Sequence, residues 1–257
     1  MRFRLTLIVL VPSCLMLGVL LWHFAQKQYL LFNLLRFDPL EESRIDTRIL
    51  ITHEDITNIW LLGDSRIAQW DTDSFSSLNA NIVNLGVDGQ TTSQVLNRFR
   101  NALNYGKPQW LFLEAGINDL KIIGLKKDLG QKIVNGCSGN IYSIIDLCLQ
   151  NSINVICINI FPTGKIELLR RLFWNSSVYS SINEVNENLE QYCHQRDVIY
   201  YDTDGILCDE QQKVKKEFQK GFLHINEKAY DSLSRDLLRK FGSKIIASSE
   251  NTINKVQ

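Results

Sequence analysis

The sequence predicts an α/β domain of three layers, helices on both faces of a sheet of about five parallel strands, preceded by one transmembrane helix. Three observations carry this. Five short apolar runs each stop at turn residues. Four longer stretches with apolar residues spaced three and four apart lie between or after them. An almost wholly apolar segment opens the chain.

The apolar runs come in order as Ile59-Trp60-Leu61-Leu62 before Gly63, Ile82-Val83-Asn84-Leu85 before Gly86, and Trp110-Leu111-Phe112-Leu113 shortly before Gly116. Asn154 to Phe161 then stops at Pro162, and Val198-Ile199-Tyr200-Tyr201 stops at Asp202. Continuous apolar runs of this length suit strands covered on both faces. Helices are expected over Thr92 to Leu103, Asn140 to Leu149, Ile182 to Tyr192 and Asn226 to Phe241. In each, residues such as Val95, Leu96, Phe99 and Leu103 share one helix face. Alternating strands and helices imply parallel pairing with crossovers. Ligands of such sheets bind beyond the carboxyl ends of the strands. The turns at Gly63-Asp64-Ser65, Gly86 to Gly89, Gly116 to Asp119 and Phe161-Pro162 should therefore gather along one edge.

Leu5 to Trp22 follows Arg2 and Arg4 and is long enough to span most of a bilayer. Basic residues ahead of it place the N-terminus in the cytoplasm and the rest of the chain on the extracytoplasmic side. The favoured organisation is a signal anchor over residues 1–25, a partly helical membrane-proximal stalk over 26–57, the α/β domain over 58–242 and a polar tail over 243–257. A cleaved signal peptide, with a poor cleavage site at His23-Phe24-Ala25, and a lipoprotein attachment at Cys14 are the competing readings. The 28 basic and 28 acidic side chains cancel, which argues against a nucleic-acid partner. None of the six cysteines sits at C-x-x-C spacing, so a zinc ribbon is not expected. Cys137 with Cys148, or Cys193 with Cys208, could bridge in an oxidising compartment; free thiols fit the sequence equally.

The strand-end turns carry residues suited to acyl transfer. A serine hydroxyl needs a neighbouring base, and Ser65 follows the first strand. His224, just before the last helix, is the base expected for it. His23 lies in the membrane segment, His53 precedes the first strand and His194 lies on a helix away from any strand end. Donors for a developing oxyanion are available in the Ser65 N–H, a glycine N–H of the Gly86–Gly89 turn and the Asn118 amide. Asp64 is expected to order its turn, and Trp70 and Trp110 to serve as core or rim residues. The segment Lys165 to Tyr179 mixes basic with large apolar residues after a strand end. It fits a helical lid, a surface for lipid headgroups or an ordinary packing helix.

Four blocks in order resemble the SGNH (GDSL-type) hydrolase family: Gly63-Asp64-Ser65-Arg66, Asn84-Leu85-Gly86-Val87-Asp88-Gly89-Gln90-Thr91, Gly116-Ile117-Asn118-Asp119 and His224-Ile225-Asn226. The resemblance covers roughly residues 58–241. It implies a flavodoxin-like fold, with Ser65 and His224 catalytic and Ser65, Gly89 and Asn118 forming the oxyanion hole. It also implies hydrolysis of small-molecule, lipid or glycan esters without cofactor or metal. One departure stands out. The family aspartate three residues before the histidine is replaced by Gly221. Either a Ser–His dyad operates, or Asp202, Asp204 or Glu217 supplies the acid. A membrane-anchored serine esterase is the leading expectation. An O-acyltransferase on glycan or lipid and a catalytically degenerate binding domain are the alternatives.

Overall fold

The computed structural model of the chain describes residues 2–37, 39–40, 50, 52, 56–166, 174 and 176–253. It divides into two units, Met1–Ser43 and Arg44–Gln257. Among the described residues the first contains one helix, α1 (Arg2–Phe37), which runs fifteen residues past the predicted span and absorbs the first part of the predicted stalk. Within it, Leu10–Leu31 is long and apolar enough to cross a membrane, and none of that stretch is buried.

The second unit is built on five parallel strands: β1 (Asn58–Gly63), β2 (Asn81–Gly86), β3 (Trp110–Glu114), β4 (Asn154–Ile158) and β5 (Ile199–Tyr201). Their order is β2-β1-β3-β4-β5, the flavodoxin-like arrangement. Successive strand side chains point to opposite faces, and here both faces are covered. Ile59, Leu61, Trp110, Phe112, Ile156 and Ile158 enter one buried cluster. Trp60, Leu62, Leu111, Leu113, Val155 and Cys157 enter the other. Trp70 and Trp110 are core residues, with Trp70 Nε1 donating to Ser234 Oγ at 2.8 Å.

Helices α3 (Thr92–Ala102), α5 (Gly130–Gln150) and α6 (Ser177–Gln195) cover one face. The other face is covered by α8 (Glu227–Ile253) and the 3-10 turn Thr72–Leu78. Short helices α2 (Ser65–Ala68), α4 (Ile117–Leu120) and α7 (Asp204–Leu207) follow strand ends, and a hairpin of β6 (Gln219–Lys220) and β7 (His224–Ile225) precedes α8. Two helices exceed their expected lengths. α5 starts ten residues early because Val134 and Cys137 extend the spacing of Ile141 and Ile144 onto the core despite Gly136 and Gly139. α8 continues to Ile253, well into the predicted tail, and Ile245 is buried one turn beyond Phe241.

The six cysteines are free thiols. Cys137 and Cys148 lie eleven residues apart on α5, a separation of roughly 16 Å at the helical rise, far beyond disulfide reach.

Two glycines set how closely the elements approach. A Cβ at Gly86 would lie 2.1 Å from the Ala68 backbone N, and one at Gly63 1.9 Å from the Glu114 carbonyl oxygen. The two glycines are register partners at the ends of β1 and β2. Their bareness lets α2 fold directly over the sheet edge.

Candidate active site

The sheet places the order change between β1 and β3 at its middle, and the crevice at such a switch point is the expected ligand site. Ser65 leaves β1 there. Asp64 caps α2, its Oδ1 accepting from the Arg66 N–H at 3.0 Å. That cap fixes the turn presenting Ser65, as expected for Asp64. His224 enters from the β6–β7 hairpin, opposite Lys220. Its Nε2 lies 2.9 Å from Ser65 Oγ. The two residues are 159 positions apart in sequence, so only the fold brings them together.

The imidazole is half-buried, and burial is the main cause lowering its pKa. The nearby charges of Arg66, Lys220 and Lys121 act in the same direction, while the Asp88 carboxylate opposes them. The neutral ring is favoured. Carrying its proton on Nδ1, it can accept the Ser65 hydroxyl proton at Nε2.

The residues expected to face an oxyanion come from three turns. Gly89, at φ 78°, lies in the turn after β2. Asn118, buried in α4, donates from Nδ2 to the Gln90 carbonyl at 3.0 Å, which ties the turn after β3 to the turn after β2. Val87 N–H donates to the Gly63 carbonyl at 3.2 Å and ties that turn to β1. Among the described residues, neither the Ser65 nor the Gly89 N–H is taken up in a hydrogen bond. Asp119 caps the first turn of α3, accepting from Thr92 N at 2.9 Å and Thr92 Oγ1 at 2.7 Å.

Beneath these turns lie two buried arginines that single-sequence reasoning did not pick out. Arg66 donates from Nε to the Leu223 carbonyl at 3.1 Å, and from Nη1 to the Phe161 carbonyl at 2.8 Å and Glu114 Oε1 at 3.3 Å. Both side chains of the Arg66–Glu114 pair are fully buried. Arg66 thus grips the residue just before His224. Arg98, on α3, donates to the carbonyls of Gly63 and Leu85 and, at 2.9 Å, to Gln90 Oε1. It cross-links the ends of β1 and β2 with the residue that holds Asn118. An arginine directly after the candidate nucleophile serine was a visible signal. Arg98 gave none, because its partners are the ends of β1 and β2 and the turn after β2, brought to it by the fold.

Burial pushes Glu114 up to about 8, with the neighbouring Asp64 carboxylate adding to the rise and Arg66 opposing it. Asp64 is also raised, again chiefly by burial.

The candidate acids sit elsewhere in the hydrogen-bond network. Asp202 Oδ1 accepts from Asp204 N at 2.9 Å and Asn159 Nδ2 at 3.3 Å. Asp204 Oδ1 accepts from the same Asn159 amide at 2.8 Å. Glu217 lies in the 3-10 turn Lys216–Phe218, and its carbonyl accepts from Asn226 Nδ2. The described residues bring no carboxylate into hydrogen-bond contact with His224. Gly221 adopts φ 76° at the hairpin tip. Most of the segment expected as a lid, residues 167–173 and 175, lies outside the described residues. Its Trp174 packs edge-on against Phe222 at 5.5 Å and against Tyr179 at 6.3 Å, beside the hairpin that carries His224.

Known structures share this architecture. A GDSL-like lipase from Bacteroides thetaiotaomicron superposes with a TM-score of 0.65 at 21% identity, covering 80% of this chain and 98% of its own. An acetylxylan esterase from Geobacillus stearothermophilus, solved as a catalytic mutant, gives a TM-score of 0.56 at 14% identity, over 72% and 94% of the two chains. A carbohydrate acetylesterase family member from Sinorhizobium meliloti gives 0.57 at 12% identity, over 75% and 100%. No curated protein matches the chain. The profile of the GDSL-like lipase/acylhydrolase family matches residues 61–231, a span that takes in all four strand-end blocks. With its sheet order and the Ser65–His224 pair at the switch point, the chain belongs to the GDSL-like lipase/acylhydrolase family.

Proposed function

We propose that this chain is a membrane-anchored serine esterase working through an acyl-serine intermediate, with Ser65 as nucleophile and His224 as general base. The 2.9 Å approach of Ser65 Oγ to His224 Nε2 carries the reading. In the first half-reaction His224 takes the hydroxyl proton while Oγ attacks the ester carbonyl. The carbonyl oxygen becomes an oxyanion facing the Ser65 and Gly89 N–H groups and the Asn118 amide. His224 then gives its proton to the departing alcohol, leaving an acyl-serine. In the second, water loses a proton to His224 and attacks the acyl carbon. Collapse returns the proton to Ser65 and frees the acid.

His224 serves without an acid partner, as one half of a dyad. Its backbone is held instead: Leu223 O by Arg66, Phe222 O by the Gly164 N–H at 2.8 Å, and His224 itself by pairing with Lys220. Asp202 and Asp204 are committed to Asn159 and the start of α7. The Leu10–Leu31 stretch supports an anchor, and Arg2 and Arg4 ahead of it favour the hydrolase domain on the extracytoplasmic side. Esters of short acyl groups on carbohydrate hydroxyls are the first substrates to screen, because two folds of this type are carbohydrate acetylesterases.

Ser65→Ala should abolish hydrolysis of a short-chain nitrophenyl ester and labelling by a fluorophosphonate probe, with an unchanged thermal midpoint. Activity equal to wild type in that variant would sink the assignment. Asp202→Ala and Glu217→Ala should leave kcat within a few-fold of wild type; a loss of about 10⁴, the size seen when a triad acid is neutralised, would restore a triad. Recovery of an acylated sugar in place of free acid, when a glycan acceptor is supplied, would make the chain an acyltransferase. Failure of the wild type to label would leave a binding domain.

A further inference from the structure

An oxyanion donor is useful only if it is aimed before the charge develops. Asn118 has a side chain that can rotate by half a turn and exchange its N–H₂ for its oxygen. Which way it points therefore depends on its neighbours. Three residues on, one turn along the backbone from Asn118, stands Lys121, at the end of α4 and half-buried. Its Nζ donates to Asn118 Oδ1 at 2.6 Å. On the opposite side of the same carboxamide, Nδ2 donates to the Gln90 carbonyl at 3.0 Å. A half-turn would set the Asn118 N–H₂ against an ammonium and its oxygen against a carbonyl, unfavourable at both ends. The Gln90 carbonyl is itself anchored, since the Gln90 side chain accepts from Arg98 at 2.9 Å.

We propose that Lys121 is a positioning residue for the oxyanion hole, holding the Asn118 carboxamide in its donating orientation and adding a positive charge beside the site where negative charge develops. This rests on the esterase reading above. Asn118 Nδ2 has two hydrogens, and one serves Gln90. The other is left for the oxyanion. The ammonium strengthens that donor by polarising the amide through its oxygen. The same charge disfavours protonation of His224, acting alongside burial of the ring and the charges of Arg66 and Lys220, against Asp88.

The test is a set of variants assayed on one ester across pH: Lys121→Met, Lys121→Gln, Lys121→Arg, Asn118→Ala and the pair Lys121→Met/Asn118→Ala. Removing an oxyanion donor typically costs about 10²–10³ in kcat, and Asn118→Ala should fall in that range. Lys121→Met and Lys121→Gln should lose about tenfold or more in kcat with KM little changed, and Lys121→Arg should recover part of the loss. In the Asn118→Ala background Lys121→Met should cost clearly less than it does in the wild type, because most of the Lys121 effect passes through Asn118 and only its charge acts separately. The acidic limb of kcat/KM should move to higher pH in the Met and Gln variants. A folded Lys121→Met or Lys121→Gln enzyme with wild-type kcat would overturn the proposal, as would losses that multiply fully in the double variant. A wild-type protein that neither hydrolyses the ester panel nor takes the fluorophosphonate label would overturn the esterase reading, and this inference with it. An active wild type with an indifferent Lys121 would overturn only this one.

Discussion

In the proposed mechanism His224 must be neutral to take the Ser65 proton, and its surroundings favour the neutral ring. Burial and the charges of Arg66, Lys220 and Lys121 all lower its pKa, and Asp88 pulls the other way. Catalysis needs the unprotonated ring, so activity is lost as pH falls through that lowered value. The acidic limb of kcat/KM should therefore lie below about 6.5, the ordinary histidine value. Asp88→Asn removes an opposing charge and should move the limb lower still. A pH–rate profile of the two proteins checks this; a limb at or above the ordinary value would contradict it. The missing aspartate at Gly221 gains a physical sense here. On the proposed dyad reading, main-chain contacts hold the histidine where Gly221 leaves no aspartate to do so. Gly221, legible in the sequence as a departure, pointed to this. The Arg66 grip on Leu223 was not legible, because a carbonyl partner leaves no mark in the residue code.

At the scale of elements, the site depends on how tightly α2 is pressed against the strand ends. Gly86 faces the Ala68 backbone nitrogen, which has no flexible end to move aside. Gly86→Ala should destabilise the domain by roughly 1–3 kcal/mol or more, the usual cost of overpacking. It should also lower kcat by displacing Ser65 from His224. Urea unfolding and the nitrophenyl ester assay measure the two effects, and a variant with wild-type stability would show that α2 is less fixed than its contacts suggest. The strands were legible because a buried parallel strand needs an unbroken apolar run, and each run ends at a glycine, proline or aspartate. The first half of α5 and the far end of α8 were harder to see. Their polar and glycine-rich segments are helical because Val134, Cys137 and Ile245 find core to bury against, and that core is supplied by other elements.

For the whole molecule, a buried group of charges under the active site couples stability to pH. Glu114 and Asp64 are both fully buried beside one guanidinium, Arg66. Both carboxyl groups are raised, Glu114 to about 8. In the unfolded chain Glu114 titrates near its ordinary 4.5. Folded protein therefore binds the extra proton between these values. The stability linked to it is intact below about pH 4.5 and is lost progressively as pH rises toward about 8. Glu114→Gln keeps the shape without the titration, so its stability should vary less with pH over this window than that of the wild type. Denaturant midpoints of both proteins at pH 5, 6, 7 and 8 test this, and parallel curves would exclude it.

The sequence by itself determined the architecture, and it singled out the edge where the candidate site lies and Ser65, His224, Gly89 and Asn118 as the candidate residues there. All of these follow from local pattern: apolar runs that must be buried, turn residues that stop them, and side chains whose chemistry is printed in their type. Only the tertiary structure decided what surrounds those residues. It set the 2.9 Å contact across 159 positions, the pairing of Lys121 with Asn118, and the two buried arginines that hold four separate segments by their carbonyls. Distances and partners of this kind arise when strands from separate parts of the chain close into one sheet. No spacing within a single segment can encode them.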